Sequence, residues 1–283
     1  MASRNPPLGR NLLIGAELLK LREEQNMTIN AVARKHHHSP TWLSTVENGF
    51  TTVRADDLDD LLTLYDCGDA RREALLYLAR SGRRRGWWND FADEIPPVQR
   101  DHASLEADAM AIFEFHMQLV PGLLQTRDYT REIFEASRLV EPERFSALCR
   151  FREERKRLLL DGTPPHYQAI ISESVLGLVV ASPAVLRAQL THLLEMTELS
   201  HVDVRIIPRS HGYHSGTDGN FAILDFKPAG LLRHVNRGAL VAIPPIVSAP
   251  GTHKYGQNAA ALAEFALPST ESREFLGRVI SGT

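Results

Sequence analysis

"KHHHSPTWLSTVENG", residues 35–49, is the stretch that decides the fold. Ser39 followed by Pro40 is the pair expected where a helix starts: a serine oxygen can accept from a first-turn N–H, and proline lacks an N–H that this turn leaves unpaired anyway. Asn48-Gly49 is the pair expected just past a helix end, where the backbone turns left-handed. A short helix over residues 40–48 is therefore predicted, entered through three consecutive histidines. Those histidines pose the alternative, a metal site in place of a turn.

Working outward, "GAELLKLREEQN" sets Leu18, Leu19 and Leu21 beside charged positions, as an amphipathic helix does. Thr28 can cap "INAVARKH", where Ile29, Val32 and Ala33 recur at helical spacing. The result is helix, short turn, helix, followed by two more helical stretches, "ADDLDDLLTLY" and "DARREALLYLARSG". Such a pair of helices can lay the second across the major groove, where each base pair shows a distinct donor and acceptor pattern. Periodicity alone fits a ligand-free helical bundle equally well.

The pattern breaks at "SGRRRGWWNDFADEIPPVQRD", where glycine, an arginine run, paired tryptophans and paired prolines mark a junction. Beyond it the texture is mixed. "VPGLLQTRDY" reads as a turn, "PERFSALCRFREERKRLLL" as a helix with basic residues late in it, and "SPAVLRAQLTHLLEMTELS" as a capped helix. "HYQAIISES", "VDVRIIP" and "GNFAILDF" read as strands, the last two joined by a glycine-containing hairpin, and a helical tail is expected from about Asn258. The class is α+β: a helical domain over 1–82, a junction over 83–100 and a larger mixed domain over 101–283.

The bulk properties exclude some classes. A 283-residue chain that is 43% hydrophobic can bury sizeable cores and is neither disordered nor collagen-like. Cys67 and Cys149 stand far apart without C-x-x-C spacing, so no disulfide framework or cysteine zinc site is suggested. No apolar run approaches the roughly 20 residues of a membrane span, and "MASRNPPLGRN" lacks the apolar core of a secretory signal, so a soluble, cytoplasmic protein is expected. Over residues 8–85, 12 lysines and arginines face 11 aspartates and glutamates. Any DNA contact must therefore come from a local stripe, Arg34, Lys35, Arg54 and Lys20, and not from an overall basic field.

"LKLREEQNMTINAVARKHHHSPTWLSTVENG" resembles the XRE-type, repressor/Cro-like helix-turn-helix family, most closely in its ending Ser39, Leu43, Ser44, Val46, Glu47, Asn48, Gly49. The resemblance implies a five-helix, all-helical domain with the third helix in the groove. It also implies roles: Pro40, Thr41, Ser44 and Thr45 toward base edges, Thr28 and Asn48 toward phosphates, Arg22 paired with Glu47 as a brace. Ile29 stands where the family usually has glutamine and Thr45 where many relatives have arginine. Affinity per subunit is then modest, which favours a homodimer on double-stranded DNA.

In the family pattern residues 36 to 38 are apolar, glycine, apolar. His36 and His38 are thus expected to point toward the small core and His37 to take the turn, with Trp42 packed along its own helix. Histidines so placed in a turn should point in different directions, unlike an i, i+4 pair on a helix. No metal is therefore assigned, and a pH- or metal-sensing run is the alternative.

"FEFHMQLVPGLLQTRDYT", "REERKRLLLDGTPPHYQAIISES" and "VRIIPRSHGYHSGTDGNFAILDF" together resemble the domain of unknown function that follows this module in many actinobacterial regulators, V-P-G-L-L-Q-T being the most distinctive run. The resemblance implies a transcription regulator, often encoded beside a small partner protein. The second domain is expected to sense a small-molecule effector, dimerise or bind that partner; the alternative is a protein-interaction regulator with weak DNA affinity. "HGYHSGTDGNF" gathers His211, His214, Ser215 and Asp218, but groups close in sequence rarely have catalytic geometry, and no enzyme or cofactor is expected.

Overall fold

A computed structural model describes residues 7–82, 85–137, 140–180, 182–227, 232–237 and 245–282. Five helices come first: α1 (Gly9–Glu24), α2 (Ile29–Lys35), α3 (Pro40–Glu47), α4 (Ala55–Leu64) and α5 (Asp69–Ser81). Their starts follow the local chemistry. Thr28 Oγ1 accepts from Ala31 N at 3.2 Å to open α2, and Ser39 Oγ accepts from Trp42 N at 3.1 Å to open α3, with Pro40 in its first turn.

The stop is equally local. Gly49 has φ +73°, and a Cβ there would lie 2.9 Å from the Leu12 backbone nitrogen, so glycine alone fits the turn where α3 passes the start of α1. Leu18, Val32, Leu43, Leu58, Leu61, Leu62 and Tyr65 form the fully buried centre of this domain.

The second domain runs α6 (Pro97–Asp108), β1 (Ala111–His116), α7 (Arg127–Ala136), α8 (Phe145–Lys156), β2 (His166–Ser172), α9 (Glu173–Leu176), α10 (Pro183–Met196), β3 (Val202–Ile207), β4 (Phe221–Asp225), β5 (Arg233–Arg237), α11 (Ala249–Phe265) and α12 (Ser269–Gly282). One sheet has the order β3-β2-β1-β4-β5. β1, β2 and β3 are parallel neighbours, whereas β4 and β5 run antiparallel to theirs. Parallel neighbours need long crossovers, and α7, α8 and α10 supply them.

Two expectations are corrected here. "VDVRIIP" and "GNFAILDF" do not form a hairpin: β3 lies at the sheet edge and β4 beyond β2 and β1. The segment between them crosses the end of the sheet instead, and Gly212 (φ +68°) and Gly219 (φ +128°) serve that path. The helical tail begins at Ala249, not near Asn258, because Pro250 sits in an opening turn; it then breaks before Ser269 into a second helix.

The junction is not a bare linker. Trp87 in a short 3-10 turn packs on Phe151 of α8 with ring centres 5.0 Å apart, and α6 already begins at Pro97. One buried arginine ties the two domains together. Arg10 of α1 reaches Ser81 Oγ on α5 at 2.8 Å and, on α6, Ser104 Oγ and Asp108 Oδ2, each at 2.8 Å. Beside it the Gly9 backbone N–H donates to Asp101 Oδ2 at 2.7 Å.

Candidate nucleic-acid interface

The brace expected of Arg22 and Glu47 is present. Arg22 Nε and Nη2 donate to the two Glu47 carboxylate oxygens at 2.6 and 3.0 Å, and Nη1 to the Met27 carbonyl at 2.8 Å. The hydrogen bond to Glu47 pushes the Arg22 guanidinium pKa further up, so the guanidinium is charged at any physiological pH. This fixes α3 against α1 from the inside, with Leu43, Val46 and Glu47 buried.

The opposite side of α3 faces out. Pro40, Thr41 and Asn48 are exposed and Ser44 is half-buried, as is Thr45. Thr45 is differently employed from the others: its hydroxyl donates to the Trp42 carbonyl and accepts from Thr51 Oγ1, both at 2.8 Å. Asn48 Nδ2 donates to the Ser44 carbonyl at 2.7 Å. Thr28, Arg34, Lys35 and Arg54 are exposed as well, although Thr28 also caps α2.

His37 takes the turn with φ +55° and is exposed. His36 and His38 do not diverge as expected. Their rings lie side by side, 5.2 Å apart at 19°, and Trp42 stacks on His38 at 3.7 Å. The left-handed residue between them puts both side chains on one side of the turn.

The second domain holds a polar cavity of about 690 Å³, mouth included, lined among others by His102, Glu114, His116, Gln125, Arg152 and Arg155. Arg155 grips Glu106 through two hydrogen bonds of 2.5 and 2.6 Å. Burial alone would raise the Glu106 pKa, but the Arg155 charge overcomes it and holds the carboxyl well below the usual range. Glu114, likewise buried, accepts from the Tyr167 hydroxyl and stays ionised through His116. Arg152 differs: it donates to Gln125 Oε1 at 2.8 Å and lies 4.8 Å from the Phe134 ring centre, with no carboxylate in ion-pair range among the described residues. Burial pushes its pKa down to about 10.

The V-P-G-L-L-Q-T run builds one wall of this cavity. Gln125 Nε2 donates to the Val120 carbonyl at 2.7 Å, and a Cβ at Gly122 would come within 3.2 Å of Arg155 Nη1. Sequence reasoning did not single out Arg10, Glu106, Glu114, Arg152 or Arg155. The available signal was a carboxylate inside the alternating "AIFEFH" and two arginines three apart in "FREERKR". By contrast, the tempting His211–Asp218 segment does not converge. His214 is buried edge-on to Phe115, Ser215 Oγ is buried with no hydrogen-bond partner, and Asp218 is exposed.

No helix among the described residues is long and apolar enough to cross a membrane. A family model described as "Helix-turn-helix domain" matches residues 13–75, from within α1 to within α5. A second, described as "Domain of unknown function (DUF5753)", matches residues 99–278. No curated protein and no solved structure matches the chain. Because the second match spans well over half of its length, the chain belongs to the DUF5753 family, with a helix-turn-helix domain carried in front.

Proposed function

We propose that the protein is a sequence-specific, cytoplasmic transcription regulator that binds DNA as a homodimer, laying α3 in the major groove. The observation that carries this is the two-sidedness of α3: Glu47 and Val46 lock its inner face, while Pro40, Thr41 and Asn48 stand in solvent, as do Arg34, Lys35 and Arg54 on the flanking elements. Thr41 and Ser44 read bases; Thr28, Asn48 and the three cations set the register on phosphates. Thr45 supports the helix from Thr51 more than it reads. So few direct readers give one subunit modest affinity, and two subunits would address half-sites about 34 Å apart in a near-palindrome.

The second domain is read as the sensor, its effector a small anion held by Arg152. The support is a cavity in which one of two lining arginines, Arg152, lacks a carboxylate, with α6 carrying Glu106 on the other, Arg155, and Asp108 in the Arg10 clamp on α1. No catalytic step belongs to this reading.

Selection of bound DNA from a random pool with the full-length chain tests it. A near-palindrome should emerge, Thr41→Ala with Ser44→Ala should relax its sequence preference, and Arg34→Ala should lower affinity evenly across sequences. No enriched sequence would reject it in favour of a regulator acting on a small partner protein.

A further inference from the structure

The histidine run is the part of the helical domain that DNA reading leaves unused. His36, His38 and Asp57 each offer one ligand atom, and these three atoms all lie within 4.8 Å of one another. Three elements meet there: the end of α2, the turn into α3 and the first turn of α4.

Ordinary packing explains this cluster poorly. Both ring nitrogens of His36 are shut off from solvent with no hydrogen-bond partner. An imidazole always presents at least one N–H, and in its neutral form also a lone pair, so a ring with both ends unmet is unfavourable unless something binds it. His38 Nε2 and Asp57 Oδ1 are 3.5 Å apart, long for a hydrogen bond, so this pair is also loosely satisfied. Meanwhile the stack of His36, His38 and Trp42 holds the two imidazoles nearly parallel, which lets one nitrogen of each face the same point.

We propose that His36, His38 and Asp57 bind one divalent cation of the zinc class. Two imidazole nitrogens with one carboxylate suit zinc and its transition-metal neighbours, whereas magnesium and calcium prefer all-oxygen shells. Ligand distances of about 2.0–2.2 Å in a tetrahedron set neighbouring donor atoms roughly 3.3 Å apart. The three atoms therefore have to close by on the order of 1 Å, within reach of side-chain rotation. Water fills the fourth position. The bound ion joins α2 to α4 directly in front of Ser39, where α3 begins.

The test uses the full chain, stripped with a chelator and titrated with Zn²⁺ by calorimetry and with Co²⁺ by visible absorbance. One equivalent should bind per chain with micromolar or tighter affinity, and zinc should raise the melting temperature. Asp57→Asn, which keeps the size of the side chain, should weaken binding by about tenfold or more. His36→Asn should do the same, and the metal-free circular dichroism of both variants should match the parent. Absence of saturable one-equivalent binding overturns the proposal. So does binding that stays within twofold of the parent in both variants, since that places the ion on other histidines. The titration needs no DNA, so its outcome is separate from that of the DNA selection.

Discussion

The two domains bury charge to different ends. In the helical domain Arg22 and Glu47 match one to one and fasten α3 to α1. In the sheet domain guanidiniums and carboxylates gather around an opening, and after Arg155 has taken Glu106, Arg152 is left with an amide and an aromatic ring. A matched buried pair fixes geometry. A buried cation without a carboxylate is unfavourable for folding alone, and this contrast supports bracing in one domain and the proposed ligand recognition in the other.

The largest effect expected tests the brace. Glu47→Ala strands the Arg22 charge in the interior and should lower unfolding free energy by about 3–5 kcal/mol in urea titrations. Arg152→Gln, which removes a charge with no counter-charge, should change it by less than about 1 kcal/mol. Losses of equal size at the two positions would erase the distinction.

The clamp between the domains comes next. Arg10→Ala leaves the mostly buried Asp108 without its counter-charge, held by the Ser81 and Tyr77 hydroxyls, and should cost about 3 kcal/mol. Calorimetry should then resolve two melting transitions where the parent shows one; a single transition in the variant would mean that other contacts couple the domains.

Acid provides a third, intermediate effect at the same interface. Burial pushes the His234 pKa down to about 3, and both of its ring nitrogens are buried without partners. In the unfolded chain a histidine takes up its proton near pH 6.5, well before the folded protein can. The stabilisation is therefore complete above about pH 6.5 and is lost as pH falls toward the folded value, by about 2 kcal/mol at pH 5. His234→Gln should flatten the fall below pH 6.5 in a melting series; an unchanged slope would move its cause to another group.

Smallest is the cap of α3. Ser39→Ala removes one exposed hydrogen bond and should cost about 1 kcal/mol, far less than Glu47→Ala on the same helix. Comparable losses would mean that the entry of α3 matters to the fold as much as its brace does.

What could be read in advance follows the same division. Ser39-Pro40 and Gly49 predicted both ends of α3 because capping and left-handed turns depend on residues within one or two turns of each other. The Arg22–Glu47 pair, 25 residues apart, was reachable only through the resemblance to a repeated family pattern. β1 was not identified as a strand, although Glu114 interrupts an alternating run: a lone carboxylate among apolar residues reads equally well as a surface position until Tyr167 and His116 are known to face it. The hairpin failed for a related reason, since two strands adjacent in sequence carry no mark of the β2 and β1 strands that lie between them.

By itself, then, the sequence determined the helices of the first domain, the caps of α2 and α3, the left-handed turn at Gly49 and the α+β character of the remainder, all set by chain-local backbone preference and hydrophobic period. Tertiary structure alone decided the strand order, the Arg10 clamp, the surplus charge of Arg152 and the meeting of His36 and His38 with Asp57. Each of these joins residues brought close only when the cores close, and burial, not residue type, sets what a charge or an imidazole does there.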